Sequence, residues 1–165
     1  MRRLFTLDEH NYDTCQTVLN RCTVRAVILR DGKLAMQVNP AGHYKLPGGG
    51  PEQNETLLDA LVREVHEETG LLVVRDSIQP VGEVLEMRAD IFNKLNKFVR
   101  TSYFYLCDAV DTGDALKLTP SERRNGYYFV WATPEEILKD YVRDVKRDRD
   151  MEFIRMLPKL LEGTK

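Results

Sequence analysis

Residues 63–70 read REVHEETG, a stretch that places three glutamates within two helical turns that end at a glycine. Upstream, Asn54 is a suitable N-cap with Glu55 in the first turn, and apolar residues recur at helical spacing. They are Leu57, Leu58, Leu61, Val62 and Val65. The sequence therefore predicts an amphipathic helix that ends at Gly70. Its end is crowded, because the negative pole of the helix dipole disfavours each carboxylate by roughly 0.3–1 kcal/mol.

A bound cation would relieve this crowding. Glu64, Glu67 and Glu68 supply oxygen ligands, whereas no cysteine and no suitably spaced histidine lies nearby. Mg²⁺ and Mn²⁺ prefer oxygen ligands, while zinc favours nitrogen and sulfur. The residues alone therefore indicate an Mg²⁺ or Mn²⁺ site, with His66 on the solvent-exposed side of the helix. The alternative is a charged, solvated face that tolerates the repulsion.

Length and composition limit the classes of protein to be considered. The chain has 165 residues, 24 Lys and Arg against 26 Asp and Glu, and a net charge of -2. This length suits one domain, and the balanced charge argues against binding to duplex nucleic acid. Cys15, Cys22 and Cys107 have neither disulfide-framework nor metal-ligand spacing, which favours a reducing compartment. Because no signal-peptide pattern and no membrane-length apolar segment occurs, we expect a soluble cytoplasmic domain that does not enter a membrane.

Strand and helix signals alternate along the chain. The predicted strands are TVRAVIL, KLAMQV, HYKL, LLVV, IQPVGEVLEM, FVRTSYFYLCDAV and GYYFVWA. Asp31 and Gly32 predict a tight hairpin turn between the first two. Two further helices are expected, one starting at Pro134 and one over MEFIRMLPKLLE that is kinked or broken near Pro158. The charged segment 139–152 is interpreted as solvated surface. These elements indicate an α/β domain with a mixed sheet between helical layers.

A glycine-rich loop precedes the first helix and completes a longer motif. The loop reads LPGGG, and glycine lets the backbone approach a phosphate or metal closely. From Gly49 the chain reads glycine, five residues, Glu55, seven residues, REVHEETG and Leu71. This pattern resembles the Nudix box without departure. Tyr44 before the loop and VWATPEEI late in the chain fit the same family, although Asn54 stands where many members have glycine.

The resemblance implies an α/β Nudix-type α/β/α sandwich with a mixed β-sheet. It implies one Nudix hydrolase domain over residues 1–165, with a C-terminal helical extension at about 134–165. It also implies a pyrophosphohydrolase that uses Mg²⁺ or Mn²⁺ to cleave a nucleoside diphosphate linked to another moiety. By position, the metal ligands would be Glu64, Glu67 and Glu68 with the backbone carbonyl of Gly48 or Gly49. Arg63 would orient these carboxylates through an ion pair with Glu67 or Glu55.

Further roles follow from position in the resembled pattern. The general base is open between Glu64 or Glu67 on the helix and Glu122 on the late loop TPSERRNG. Lys45 and Arg100 are candidate phosphate contacts, with Arg123 or Arg124 as alternatives from the late loop. Gly48, Gly49 and Glu52 would lie beside the metal and the diphosphate.

Two other functions compete with hydrolysis. A nucleotide-sensing module could keep the fold without turnover, but such modules tend to lose box carboxylates, and this chain keeps them all. An isomerase on a related fold would need a catalytic cysteine and added histidine ligands, which the three cysteines and three histidines do not provide. The expected partner is a small nucleoside diphosphate derivative: a nucleotide sugar, a nucleoside triphosphate or a dinucleoside polyphosphate. A homodimer also remains open, since homodimers are common among soluble proteins.

Overall fold

The computed structural model describes residues 1–140 and 148–162. Within these residues the chain forms ten strands and four α-helices. The strands are β1 (Arg3–Asp8), β2 (Thr17–Val27), β3 (Leu29–Arg30), β4 (Lys33–Val38), β5 (Tyr44–Lys45), β6 (Leu71–Val73), β7 (Gln79–Ala89), β8 (Asn96–Leu106), β9 (Ala109–Asp111) and β10 (Tyr128–Ala132). The helices are α1 (Leu57–Thr69), α2 (Pro120–Arg124), α3 (Pro134–Asp140) and α4 (Arg149–Glu162).

The strands form a mixed arrangement, as the sequence predicts. One sheet has the order β1-β7-β8-β2, in which β7 and β8 are antiparallel while β1–β7 and β2–β8 are parallel. A second sheet has the order β10-β4-β3, with β5 paired to β4, and β6 pairs with β9. The predicted hairpin between β3 and β4 is confirmed, because Leu29 pairs with Leu34 around a turn in which Asp31 and Gly32 have φ 51 and 74.

Alternate strand residues face two helical layers, which gives the α/β/α arrangement. Val24, Ala26 and Ile28 pack with buried residues of α1, whereas Val27 belongs to the cluster that contains α3 and α4. In β4 the same alternation places Ala35 towards α1 and Leu34 towards the other layer. This period of two is the geometry of a strand whose both faces are covered.

The start of α1 differs from the sequence prediction. The N-cap is Thr56, whose side chain accepts from the amide of Asp59, and Asn54 instead adopts φ 65 in the preceding turn. Glu55 therefore precedes the helix, and Asp59 is the acid of its first turn. Leu58, assigned to the apolar stripe, is 40% exposed, because the face of the helix that packs on the sheet runs through Leu57, Leu61 and Val65 instead. The end at Gly70 is confirmed, with φ 70.

The C-terminal part also differs in three places. Helix α4 continues through Pro158, since burial of its apolar face against the sheet offsets the lost hydrogen bond; of the two predicted alternatives, the break is therefore wrong, and the kink stays a prediction. Within the segment expected to be solvated, Arg149 and Asp150 are buried, while residues 141–147 lie outside the described residues. The late loop contains a short helix, α2, with a capping box between Thr119 and Glu122.

Helix α4 contributes to the main core rather than lying apart from it. Met151, Phe153, Ile154 and Leu157 are buried, and the ring of Phe153 stacks on that of Phe104 in β8 with centroids 4.1 Å apart. We therefore propose that the C-terminal helices belong to the same domain as the rest of the chain. No helix among the described residues combines the length and apolar character needed to cross a membrane.

Candidate active site

The second half of α1 carries the three glutamates of the quoted stretch. Glu68 is 2% exposed, and Glu64 and Glu67 are half-buried. A Cβ at Gly70 would lie 2.8 Å from the backbone oxygen of Asp114, so this C-cap requires glycine for space as well as for its positive φ. His66 is not simply exposed as expected: its Nε2 lies 2.8 Å from Oδ2 of Asp114.

Arg63 binds three carboxylates at once. Its Nε and Nη2 contact the two oxygens of Glu55 at 2.8 and 2.9 Å, a bidentate pair. Its Nη1 donates to Glu64 at 2.9 Å and to Glu67 at 3.2 Å. The hydrogen bonds that Arg63 donates to Glu55 raise the pKa of the guanidinium, and the one that it donates to Glu64 adds to this effect. The guanidinium therefore fixes the positions of Glu64 and Glu67 relative to the glycine loop, where its Nη2 also donates to the carbonyl of Gly50.

Glu68 points away from Arg63 and towards a different cation. Its Oε2 accepts from the amide of Gly48 at 2.8 Å, and its Oε1 lies 3.0 Å from Nζ of Lys45. Burial raises the pKa of Glu68 to about 7, although the charge of Lys45 opposes this shift. The carboxyl thus binds a proton more tightly than an exposed glutamate would.

Lys45 links Glu68 to Glu122, which lies far away in the sequence. Nζ of Lys45 lies 2.5 Å from Oε1 of Glu122 and 4.7 Å from the ring centre of Tyr127. Burial alone would raise the pKa of Glu122, but hydrogen bonds with Glu68 and Lys45 outweigh it and lower the pKa to about 2. These opposite shifts make Glu68 the more readily protonated carboxyl, while Glu122 stays ionised.

The glycine loop lies along β2 with almost no free space. The amide of Val24 donates to the carbonyl of Gly49 at 2.9 Å, and the side chain of Arg25 donates to the carbonyl of Gly48. Gly48 has φ 141, and a Cβ there would lie 2.1 Å from the carbonyl oxygen of Val24. A Cβ at Gly49 would lie 2.3 Å from Oε1 of Glu64. The fold thus requires glycine at Gly48, whereas a side chain at Gly49 would displace the carboxylate of Glu64.

The cluster carries an excess of negative charge. Five carboxylates meet there, and among the described residues only Arg63 and Lys45 contact them as cations. Burial raises the pKa of Glu64 as well as that of Glu68. Oxygen ligands with uncompensated charge fit a hard divalent cation. Within residues 1–140 and 148–162, however, no three acidic, histidine or cysteine side chains already converge as a metal cage. Arg63 bridges Glu64 and Glu67, and Lys45 bridges Glu68 and Glu122.

The structure brings most of the predicted site residues together, but not all of them. Arg63, the three box glutamates, Lys45, Gly48, Gly49 and Glu122 form one connected group. Glu52 is exposed, its backbone amide donates to the carboxylate of Glu55, and its carbonyl accepts from the amide of Glu55. Arg100 lies apart from this group and pairs with Glu86 at 2.5 Å. Arg123 and Arg124 are exposed, and Arg123 donates to the carbonyl of Leu118.

Sequence reasoning missed a buried ionic group behind the glycine loop. Asp150 at the start of α4 accepts from the amide of Leu46 at 3.0 Å and from Nε of Arg149 at 2.8 Å. Arg25 lies 3.8 Å from the same carboxylate. An arginine inside the apolar strand TVRAVIL was a usable signal for Arg25, since an unpaired charge is rarely buried. Nothing local distinguished Asp150 within its charged segment.

Comparison with known protein families agrees with the geometry of the candidate active site. The model of the NUDIX domain family matches residues 19–153 of the chain. No curated protein matches the sequence.

Three solved structures illustrate the similarity in fold. A NUDIX hydrolase from Nitrosomonas europaea has 21% identity and a TM-score of 0.60, with 89% of this chain and 91% of that chain covered. The mutator MutT protein from Bacillus halodurans has 18% identity and a TM-score of 0.61, with 83% and 81% covered. An ADP compounds hydrolase has 16% identity and a TM-score of 0.59, with 88% and 75% covered. At these identities the likeness is one of fold.

Proposed function

Because the chain belongs to the NUDIX domain family and is thereby a pyrophosphohydrolase, we propose that it hydrolyses a nucleoside diphosphate linked to another moiety, with Mg²⁺ or Mn²⁺ as cofactor. The bond cleaved is a phosphoanhydride, and water is the nucleophile. The observation that carries this proposal is the carboxylate excess at the end of α1, next to glycine amides that can approach a diphosphate.

The ligands proposed for the cation are Glu64, Glu67 and Glu68, with the carbonyl of Gly48. Their oxygens suit Mg²⁺ or Mn²⁺. When bound, the cation supplies positive charge against the diphosphate and makes the attacking water more acidic. When the cation binds, Glu68 would have to be ionised. Since burial raises its pKa to about 7 in the metal-free protein, cation binding would release the proton from any Glu68 that carries one. The carbonyl of Gly48 faces Arg25, so this ligand also depends on that side chain.

The remaining residues bind substrate or hold the ligands in place. Arg63 positions Glu64 and Glu67, and its bidentate pair with Glu55 fixes the guanidinium itself. Lys45 is proposed to contact a phosphate oxygen, because its ammonium lies among the carboxylates that would surround the ligand. Gly49 keeps the loop close to Glu64. We propose that Glu52 contributes at most from the rim, since its side chain is exposed.

The general base is proposed to be Glu64 or Glu67 rather than Glu122. A base works best when its pKa lies near the working pH, and the pKa of Glu122 is lowered to about 2. Burial raises the pKa of Glu64, which makes that carboxylate the better proton acceptor. Glu122 instead helps to keep Lys45 charged and in position, because the charge of Glu68 and the hydrogen bond to Glu122 raise the pKa of the lysine against the effect of burial.

The test is phosphorus NMR of the purified protein with Mg²⁺ and a panel of nucleotide sugars, nucleoside triphosphates and dinucleoside polyphosphates. Glu68→Gln should lower kcat/KM by more than about 100-fold, because Glu68 is proposed to bind the cation directly. Loss of a residue that only orients a ligand costs up to about 100-fold. Glu135→Gln, at an exposed glutamate of α3, is the matched control and should retain activity. Equal turnover by the Glu68 variant would refute the assignment, and absence of turnover on the whole panel would favour a nucleotide sensor.

We also propose a cytoplasmic location and a small-molecule partner without nucleic acid. All three cysteines are free, which suits a reducing compartment. The predicted homodimer is a separate proposal, and light scattering of the purified protein would decide it.

A further inference from the structure

A second cleft, rich in arginine, lies where the start of α4 meets the strands β1, β7 and β8. Its volume is about 330 Å³. The cations that line it are Arg88, Lys94, Arg100 and Arg149, and the acids are Glu9, Glu86 and Asp148. None of these residues belongs to the carboxylate cluster of the candidate active site.

Carboxylates do not balance the guanidinium groups in and behind this cleft. Glu86 serves both Arg100 at 2.5 Å and Arg88 at 3.3 Å. Asp150, behind the cleft, likewise serves two arginines, Arg149 and Arg25. Four guanidiniums thus share two carboxylates.

The two remaining acids of the lining offset part of this positive charge. Glu9 is exposed, and Asp148, whose Oδ1 accepts from the amides of Asp150 and Met151, acts with Asp150 and Glu86 to raise the pKa of Arg149 against the effect of burial. Burial, followed by repulsion from Arg149, lowers the pKa of Arg100. Among the described residues, the lining still holds four cations against three acids.

The arginines of the cleft are also held in fixed positions. The guanidiniums of Arg88 and Arg100 lie 4.2 and 5.5 Å from the ring centre of Phe98. Nη1 of Arg149 donates to Oγ of Ser102 at 3.1 Å. Nε of Arg100 is buried and has no hydrogen-bond partner among the described residues. Preorganised guanidiniums with spare donors are the usual means of binding phosphate.

The cleft adjoins the candidate active site through a few direct contacts. Asp150, which binds Arg149 of the cleft, also accepts from the amide of Leu46. Two residues further on, the amide of Gly48 binds Glu68 and its carbonyl binds Arg25. A short chain of contacts through the glycine loop thus joins the cleft to the glutamates.

We propose that the arginine cleft binds a phosphate group carried by the part of the substrate that lies beyond the hydrolysed diphosphate. This inference rests on the proposed function. It assigns the chain to substrates with an additional phosphate, such as phosphorylated dinucleotides or longer polyphosphates. Substrates whose second moiety is a neutral sugar would bind less tightly. Arg100 and Arg149 form the floor of the cleft, and Lys94 lies at its exposed rim.

The first experiment measures binding of inorganic phosphate by titration calorimetry, in EDTA and at constant ionic strength. Arg100→Gln should weaken binding by about 10- to 100-fold, the effect of losing a charge-assisted contact. Lys94→Gln, at an exposed position that the fold does not depend on, should weaken it a few-fold. Arg155→Gln is the matched control, because this arginine lies on the exposed side of α4 and pairs with Glu152. It should leave binding unchanged.

Equal phosphate affinity in the wild type and in both cleft variants would overturn the inference, as would the absence of phosphate binding. If thermal melting shows that Arg100→Gln does not fold, Lys94→Gln against Arg155→Gln decides the matter.

The second experiment compares kcat/KM for two dinucleotides that differ by one phosphate monoester. The phosphorylated one should be preferred, and Arg100→Gln should abolish this preference by raising KM. Hydrolysis without any such preference would overturn the inference and leave the proposed function intact. Phosphate binding that depends on Arg100, in a protein that hydrolyses nothing, would support the cleft and refute the hydrolase.

Discussion

Replacing Glu68 with glutamine should stabilise the metal-free protein as the pH rises, relative to the wild type. The pKa of this carboxyl is about 7 in the folded chain, against an ordinary value of 4.5. Because the folded value is the higher one, the contribution of Glu68 to stability is complete below pH 4.5 and is lost as the pH rises through 7. Glutamine resembles the protonated carboxyl and does not titrate, so the variant escapes this loss.

The size of the effect follows from the same two pKa values. The pKa of about 7 in the folded chain, against 4.5, corresponds to about 3.4 kcal/mol at full ionisation. Between pH 5 and pH 8 about 2.5 kcal/mol of this should appear as a change in the difference in unfolding free energy between the two proteins. The lowered pKa of Glu122 acts in the opposite sense, but its contribution is lost between pH 4.5 and about 2, below this window.

The assay is urea unfolding at pH 5, 6, 7 and 8 in EDTA, with the free energies of unfolding compared at each pH. Any constant cost of the substitution cancels, because only the change in the difference with pH is used. Glu135→Gln should give a difference that does not vary with pH. A difference between Glu68→Gln and wild type that is constant from pH 5 to pH 8 would refute the claim that burial holds a proton on Glu68.

Three further substitutions test the loop, the positioning arginine and the buried ionic group. Gly48→Ala should lower the melting temperature strongly, because its Cβ would overlap a backbone oxygen of β2. Gly49→Ala should fold but lose activity, since its Cβ meets only the side chain of Glu64. Thermal melts and measurements of kcat distinguish the two variants. Arg63→Lys should lower kcat by about 10- to 100-fold with little change in KM, because lysine lacks the planar fork that binds Glu55 through two nitrogens while a third reaches Glu64 and Glu67. An unchanged apparent Mg²⁺ affinity and kcat would contradict its positioning role. Asp150→Asn should lower the free energy of unfolding in urea by about 3–5 kcal/mol, because it leaves the buried Arg25 and Arg149 without this carboxylate. A loss under about 1 kcal/mol would show that the two arginines find other partners.

Several features of the fold could be read from the sequence because short-range physics controls them. The turn at Asp31 and Gly32, the end of α1 at Gly70 and the period of its buried face depend on residues a few positions apart. The box glutamates were recognisable for the same reason, since helical spacing alone places Glu64, Glu67 and Glu68 at one end of one helix. Where two local signals competed, the prediction was wrong by a few residues, since the N-cap is Thr56 and not Asn54.

Only the tertiary structure determined which contacts each of those glutamates makes. Local sequence treats Glu64 and Glu68 alike, yet one meets Arg63, whereas the other is buried against the amide of Gly48. Glu122 joins them from a capping box that has no local link to α1. The arginine cleft and Asp150 were equally unpredictable, because α4 reaches Leu46 across more than a hundred residues of chain. Helical spacing places the charged groups near one another. Their pKa values and the charge that remains uncompensated depend on desolvation, and desolvation depends on which distant segments cover them.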